Sequence, residues 1–357
     1  MPSDAPVYES LLSHTPKINQ QLARYGVKFG LYKNGEFNER LFPFDAIPRV
    51  IKKDVWATLE RGLAQRVDAL NAYLADVYGA KQIIRDGVVP EDFAFASSGY
   101  LPQYEGIVPP GGIHSHISGI DLAEKAGAVL AEPQELFVED ERLYYRGGAG
   151  KQLVGAVYRR LSDEFLDPLC FRADSLIGVP NLMSAYRAGN VAVLNAPGNG
   201  AADDKGIYYF VPRMVEYYLN EKPILKNAPT YLPFYPDDMA YVQDHADSLV
   251  IKDVAEAGGY GVVFGSGLTE QKLEDLKALI RREPRRFIAQ EVVDFLCLPT
   301  YIDGEIAPRK ANLRAFVLSG ARTEVWPSGL TRYSREEGSA IVNSSQGGGF
   351  KDTWVLS

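Results

Sequence analysis

The stretch Ile251–Gly265 reads IKDVAEAGGYGVVFG. An apolar strand, Leu249–Val254, carries Lys252 and runs into Gly258, Gly259, Tyr260 and Gly261. Gly261–Phe264 then returns as its partner strand. The glycines therefore join two strands. In a dinucleotide-binding unit they would open a helix. A Walker A loop would need GxxxxGK[ST], which is absent. The hairpin has two readings. Its glycines can simply serve turns with positive φ. They can also bring backbone N–H groups close to phosphate oxygens that Lys252 would contact.

The flanks fit an α+β region built on a largely antiparallel sheet. Thr269–Arg282 has Leu273, Leu276 and Ile280 on one helical face, and Phe287–Val293 is a strand. Leu313–Leu318, Thr323–Trp326 and Ala340–Asn343 read as strands between glycine turns. Upstream, the strand Val191–Leu194 ends in Asn195-Ala196-Pro197-Gly198, and a helix is expected from about Asp203 or Asp204, either of which can cap it. Lys205 would then lie in a first helical turn, where the dipole disfavours a cation. It is either a solvated lysine balanced by two aspartates or half of an anion site. Arg314 sits among apolar neighbours in KANLRAF, which suggests a half-buried strand and an inward guanidinium, paired with a carboxylate or aimed at a phosphoryl group. The polar, glycine-rich run from Asn343 to Gly349 can wrap a ligand or form a tail.

Three regions emerge: 1–122, 123–179 and 180–357. In the first, Lys53–Tyr78 places Trp56, Leu59, Leu63, Val67, Leu70 and Leu74 at helical spacing, with Gly79 as its stop. Pro102–Gly112 is loop, and His114–Leu122 is extended. In the second, Ala123–Leu130 reads as a short helix. Leu136–Val138 and Leu143–Tyr145 flank a turn, and Val154–Tyr158 ends on Arg159 and Arg160.

The 357 residues are 46% apolar and 24% charged, which is globular composition with ample material for a core. The net charge of −8 excludes a general nucleic-acid coat, though a basic pocket can still bind a nucleotide. No run approaches the ~18–20 apolar residues of a membrane span, and MPSDAPVYES lacks the form of a signal peptide, so a soluble, cytoplasmic protein is expected. Two cysteines, Cys170 and Cys297, are too few for a disulfide scaffold or a thiolate metal site. His114 and His116 lack a third ligand at recognisable spacing, whereas Asp121 could hold Mg²⁺ together with phosphate oxygens.

Several strings belong together: FPFDAIPRVI (Phe42–Ile51), QRVDALNAYLADVYG (Gln65–Gly79), HISGIDL (His116–Leu122), YRRLSDEFLDPL (Tyr158–Leu169), NAPGNGAADDKGIYYFVP (Asn195–Pro212), GGYGVVFG (Gly258–Gly265), FIAQE (Phe287–Glu291), SGLTR (Ser328–Arg332) and NSSQGGGFKDTWVL (Asn343–Leu356). The set resembles the circularly permuted ATP-grasp type 2 family, whose members are often called similar to glutathionylspermidine synthase. The resemblance covers nearly the whole chain. It implies a permuted ATP-grasp fold with an inserted α/β domain, of which 123–179 would be a remnant. It implies ATP and Mg²⁺, and a small carboxylate activated as an acylphosphate for attack by a small amine. It makes Lys205 and Lys252 the phosphate-binding lysines, and Gly258–Gly261, with Tyr260, the phosphate loop. Gln290, Glu291 and Val292 become the adenine hinge, Arg314 the phosphoryl-stabilising arginine and Asp121 a Mg²⁺ ligand. Asn343–Gly349 and Arg159/Arg160 would face the substrate. It implies neither a nucleic-acid nor a membrane partner and leaves the oligomeric state open.

This chain departs from the family pattern after Leu122. There a strand and a Glu-Asp-Asn motif completing the Mg²⁺ site are expected, but AEKAGAVLAEPQELF follows directly. Roughly a hundred residues are missing by that comparison. Asp253 also follows Lys252 where the family usually has proline. The alternative reading is an ATP-binding or scaffold protein with impaired catalysis.

Overall fold

A computed structural model describes residues 5–356, apart from 27, 34–35, 42, 119–128, 149, 256–260, 303, 340–341 and 343–347. The chain opens with α1 (Ala5–Leu12), α2 (Thr15–Arg24) and a hairpin of β1 (Lys28–Lys33) and β2 (Glu36–Leu41). Next come β3 (Phe44–Ile51), α3 (Lys53–Val77), α4 (Gln82–Arg85), α5 (Glu91–Phe95) and β4 (Ile117–Ser118). The middle of the chain holds β5 (Leu136–Glu139), β6 (Arg142–Gly147), β7 (Gly150–Leu153), β8 (Ala156–Tyr158), α6 (Leu182–Arg187) and β9 (Ala192–Leu194). It continues through α7 (Ile207–Leu219), β10 (Thr230–Tyr231), α8 (Pro236–His245), β11 (Leu249–Asp253), β12 (Val262–Phe264), α9 (Glu270–Arg282) and β13 (Phe287–Glu291). The last strands are β14 (Cys297–Ile302), β15 (Glu305–Ser319), β16 (Thr323–Tyr333) and β17 (Gly349–Val355).

Two sheets matter for function. The smaller has strand order β10-β13-β11-β12, every pair antiparallel. The larger has order β14-β15-β16-β17-β3, with β4 paired to β15 at Val317 and Leu318. In it β17 runs parallel to β3, so Phe350 lies beside Phe44 and Trp354 beside Val50. The first and third sequence regions thus share one sheet.

Helix α3 works in two halves because its apolar stripe is long. Trp56, Leu59, Leu63 and Val67 pack on Ile51, Leu313, Val317 and Val325 of the large sheet. Ala69, Tyr73, Leu74 and Val77 enter the main core with Phe93, Phe210, Met183 and Met214. Full burial of one such side chain stabilises the fold by about 1.5–3 kcal/mol. One face of the small sheet presents Leu249, Ile251, Phe287 and Ala289 to Val242 of α8 and to Leu276 and Ile280 of α9.

Several expected boundaries move. The helix expected near Asp203 starts at Ile207 with Gly206 as its cap, so Lys205 precedes the helix. Asp204 instead accepts the Gly206 N–H through Oδ1 at 2.8 Å, a local bond that turns the chain before the helix begins. The strand expected over 313–318 extends to Glu305–Ser319, and that over 323–326 to Thr323–Tyr333. Most of Ala123–Leu130 and of Ala340–Asn343 lies outside the described residues.

Candidate functional site

Antiparallel register decides which side chains share a face, because directly opposed residues project together. In the small sheet Thr230 opposes Gln290, Gln290 opposes Val250, and Lys252 opposes both Ile288 and Val262. Thr230, Gln290 and Lys252 therefore lie on the face away from α8 and α9. They form a chain of hydrogen bonds there. Lys252 Nζ donates to Gln290 Oε1 at 2.5 Å, and Gln290 Nε2 donates to Thr230 Oγ1 at 2.8 Å. Thr230 Oγ1 donates to the Ala228 carbonyl at 2.8 Å.

Lys205 reaches the same place from the turn before α7. Its Nζ donates to the Asp253 carbonyl at 2.6 Å, and its backbone N–H to the Val254 carbonyl at 3.2 Å. The turn is anchored by Asp204, whose Oδ2 accepts Arg285 Nη2 at 2.6 Å, while that guanidinium stacks 3.7 Å from the Phe93 ring centre. Burial lowers the pKa of Lys252, and the nearby Lys205 charge lowers it further. Like charges that act on each other in this way would be relieved by an anion. Burial pushes the Asp253 carboxyl up, but the Arg286 bond, the Ala255 N–H and Lys205 together leave it below the ordinary carboxylate range.

Arg314 stands on the large sheet, opposite Leu330, which in turn opposes Asp352. Its neighbour Leu313 packs under α3, so Arg314 projects from the other face and is exposed. The inward placement expected from its apolar neighbours is corrected, because the helix takes the leucine side. No contact among the described residues joins Arg314 to the two lysines.

Arg159 turns its guanidinium onto its own chain. It donates to the carbonyls of Asn195 (2.9 Å), Leu161 (2.6 Å) and Ala196 (3.2 Å) and to Asn199 Oδ1 (3.0 Å), and pairs with Asp163 at 2.7 Å. Asp163 Oδ2 accepts the Gly198 N–H at 3.0 Å, and Gly198 has φ +86°. This ion pair shapes the loop that delivers Lys205. Close backbone approach helps, since a Cβ on Gly99 would lie 2.1 Å from the Gly200 carbonyl oxygen. Arg160 is exposed.

The other end of that loop holds the segment before Asp121. Asn195 Oδ1 accepts the His116 and Ile117 N–H groups, both at 2.8 Å, and Asn71 Oδ1 accepts the His114 and Ser115 N–H groups at 3.2 and 2.7 Å. His114 is buried, and its ring stacks on Tyr78 with centroids 6.2 Å apart. Burial, with a smaller push from His116, lowers its pKa to about 4. The folded state thus resists a proton that the unfolded chain accepts near 6.5. Stability from this group is full above pH 6.5 and is lost as pH falls toward 4, by about 3 kcal/mol over the window. Urea midpoints at pH 7 and pH 4.5 should show a steep acid limb that His114→Phe flattens. An equal drop in the variant would refute this.

Gln290 is buried and spends its side chain on Lys252 and Thr230, and the Glu291 N–H donates to the Pro229 carbonyl at 3.1 Å. Glu291 Oε1 accepts the Tyr231 hydroxyl at 2.9 Å, and Val292 is exposed beyond the strand end. Of the glycine turn expected to cover phosphate, Gly261 is described, with φ +68°, and its carbonyl accepts the Asp253 N–H at 3.0 Å. Gly258, Gly259, Tyr260, Asp121 and Asn343 lie outside the described residues. Ser118, three residues before Asp121, pairs with Val317, three residues after Arg314. Among the described residues no three His, Cys, Asp or Glu side chains gather as a metal site. Arg332, to which the sequence reading gave no role, and Asp352, which it grouped with the glycine-rich run before it, share a face with Arg314 through a register that local patterns do not reveal.

The family model for "Circularly permuted ATP-grasp type 2" matches residues 48–126 and 122–334. This chain belongs to that family. An uncharacterized protein of Synechocystis sp. is 37% identical over 453 aligned positions, covering 99% of this chain and 94% of its own length. A Frankia casuarinae protein, provisionally named a glutamate–cysteine ligase, is 34% identical over 90% of this chain and 48% of its own length. A solved glutathione synthetase-like effector from Globodera pallida superposes with TM-score 0.49 at 10% identity, over 98% of each chain. The family match bears out the permuted ATP-grasp expectation for the fold. No helix among the described residues is long and apolar enough to cross a membrane.

Proposed function

We propose that this chain is a cytoplasmic ATP-dependent carboxylate–amine ligase, in the manner of glutathionylspermidine synthase, with small-molecule substrates. Bound ATP would supply the phosphoryl group that turns a carboxylate into an acylphosphate open to attack by an amine. The observation that carries this reading is that Lys205 reaches the end of β11, where its charge acts on Lys252 on the polar face of the small sheet, in a chain of the ATP-grasp family. The lysines hold phosphate oxygens, with Gly258–Gly261 folding over them. Gln290 orients Lys252, and adenine rests by Glu291 and Val292. Arg314 stabilises the phosphoryl group in transfer. Asp121 would ligate Mg²⁺, which would offset phosphate charge, and Asn343 would face the substrate.

Titration calorimetry with ATP and Mg²⁺ tests the nucleotide half. Lys252→Ala should raise the dissociation constant about 10–100-fold, the range expected for one lost charge-assisted hydrogen bond. No heat at millimolar ATP for the native chain refutes the reading. ADP release dependent on both a carboxylate and an amine tests the other half.

A second reading is an ATP-binding protein with impaired turnover. It is favoured by the two-part family match, which breaks at residues 122–126, and by alignment of this 357-residue chain over 453 positions. Both agree with a segment of roughly a hundred residues missing after Leu122, two Mg²⁺ ligands included. Inserting the corresponding Synechocystis segment should then restore ADP release.

A further inference from the structure

The end of β13 carries a main-chain acceptor with no role so far. The Glu291 N–H donates to the Pro229 carbonyl at 3.1 Å. In an antiparallel ladder such a pair exchanges two bonds, and residue 229 would return its own N–H to the Glu291 carbonyl. Proline has no N–H, so the return bond cannot form and that carbonyl lacks its ladder partner. The neighbours of Pro229 are anchored. The Ala228 N–H donates to the Tyr208 hydroxyl at 2.8 Å, and Thr230 Oγ1 to the Ala228 carbonyl at 2.8 Å. The bonds that run from Lys252 through Gln290 end on that same Thr230 hydroxyl. The open carbonyl thus belongs to the residue just after the one that Lys252 meets.

The Glu291 side chain is held on the other face. Glu291 opposes Leu249, which packs toward α8 and α9. Tyr231 opposes Ala289 on that face and so is a diagonal neighbour of Glu291. Its hydroxyl donates to Glu291 Oε1 at 2.9 Å. The Tyr231 ring stacks on Tyr241 with centroids 4.2 Å apart, and Tyr241 stacks on His245 at 4.1 Å. His245 is fixed in turn by its Nδ1 bond to the Tyr241 carbonyl at 2.9 Å.

We infer that Pro229 and Tyr231 set the choice of nucleotide base. Pro229 leaves the Glu291 carbonyl open to accept an exocyclic amino group, and Tyr231 keeps the Glu291 carboxylate from taking that donor. Both roles rest on the ligase reading and deepen it. A fixed carbonyl accepts from the amino group of adenine and is repelled by the oxo oxygen that guanine carries there. A site built to bond one such group rejects the analogue that lacks it.

The test is titration calorimetry of the full chain with MgATP and with MgGTP. The native chain should prefer ATP by about tenfold or more, the worth of roughly one hydrogen bond. Pro229→Ala supplies the missing N–H, which closes the carbonyl. It should therefore keep or raise the urea midpoint while raising the ATP dissociation constant about tenfold and narrowing the preference over GTP. A merely structural role would lower stability and affinity together. Tyr231→Phe should weaken ATP binding by releasing the carboxylate, and adding Glu291→Ala should recover it, because the double variant has no carboxylate to release. Equal native affinity for ATP and GTP overturns the inference and leaves nucleotide binding standing. So does a Pro229→Ala variant with the native preference, or one whose stability and affinity fall together. So does a Tyr231→Phe variant with native affinity, or one that Glu291→Ala fails to rescue. Absence of ATP binding in the native chain instead refutes the ligase reading beneath it.

Discussion

Lys351→Ala should cost about 3–5 kcal/mol of folding stability, the range for stranding one member of a buried ion pair. Lys351 is completely buried within the large sheet, and its Nζ meets Asp45 Oδ2 at 2.5 Å and the Pro299 carbonyl at 2.6 Å. Asp45 Oδ1 accepts the Ile47 N–H at 3.0 Å. The pair thereby ties β17 to β3 and β14. Burial raises the Asp45 pKa despite Lys351 and lowers that of Lys351 despite Asp45, so desolvation opposes both charges. Replacing both partners by apolar residues of similar volume, Asp45→Leu with Lys351→Met, should recover most of the loss. Urea denaturation of the two singles and the double decides this. A single variant within 1 kcal/mol of native, on the order of ordinary surface substitutions, would show that the pair is not the clamp described.

Arg314→Ala should lower the rate of ADP formation about 10²–10³-fold, as expected when one preorganised donor to a transferring phosphoryl group is removed. Its exposure predicts almost no change in stability, within about 0.5 kcal/mol. ATP affinity should change little, because the proposed nucleotide site, at Lys205 and Lys252, lies on other elements. Arg314→Lys should recover only part of the rate, since an ammonium lacks the planar fork. Rates within threefold of native for Arg314→Ala would remove this residue from the chemistry.

The Lys252 hairpin was legible because its signals are local: an apolar run, a lysine within it and glycines at the turn. Helix α3 was legible for the same reason, its stripe repeating over 25 residues. The partners of Arg159 were not legible, because arginines at a strand end look alike whether they face a ligand or a loop. Its five partners lie up to forty positions away and meet only on folding. Arg314 was placed on the wrong side because both its neighbours are apolar, and α3 decides which of them is covered. The bond from Lys252 to the Gln290 side chain, 38 positions away, had no signal in the sequence.

By itself the sequence determined the class of the fold, the family and the candidate lysines, since periodicity, turn residues and motif strings are properties of short segments. Only the tertiary structure decided that Lys205 joins Lys252, that β17 lies along β3, and that Arg314, Arg332 and Asp352 share a face. Alternation with a period of two says that a strand has two faces. Which face is covered, and which strand lies alongside, is set by contacts between residues far apart in the chain.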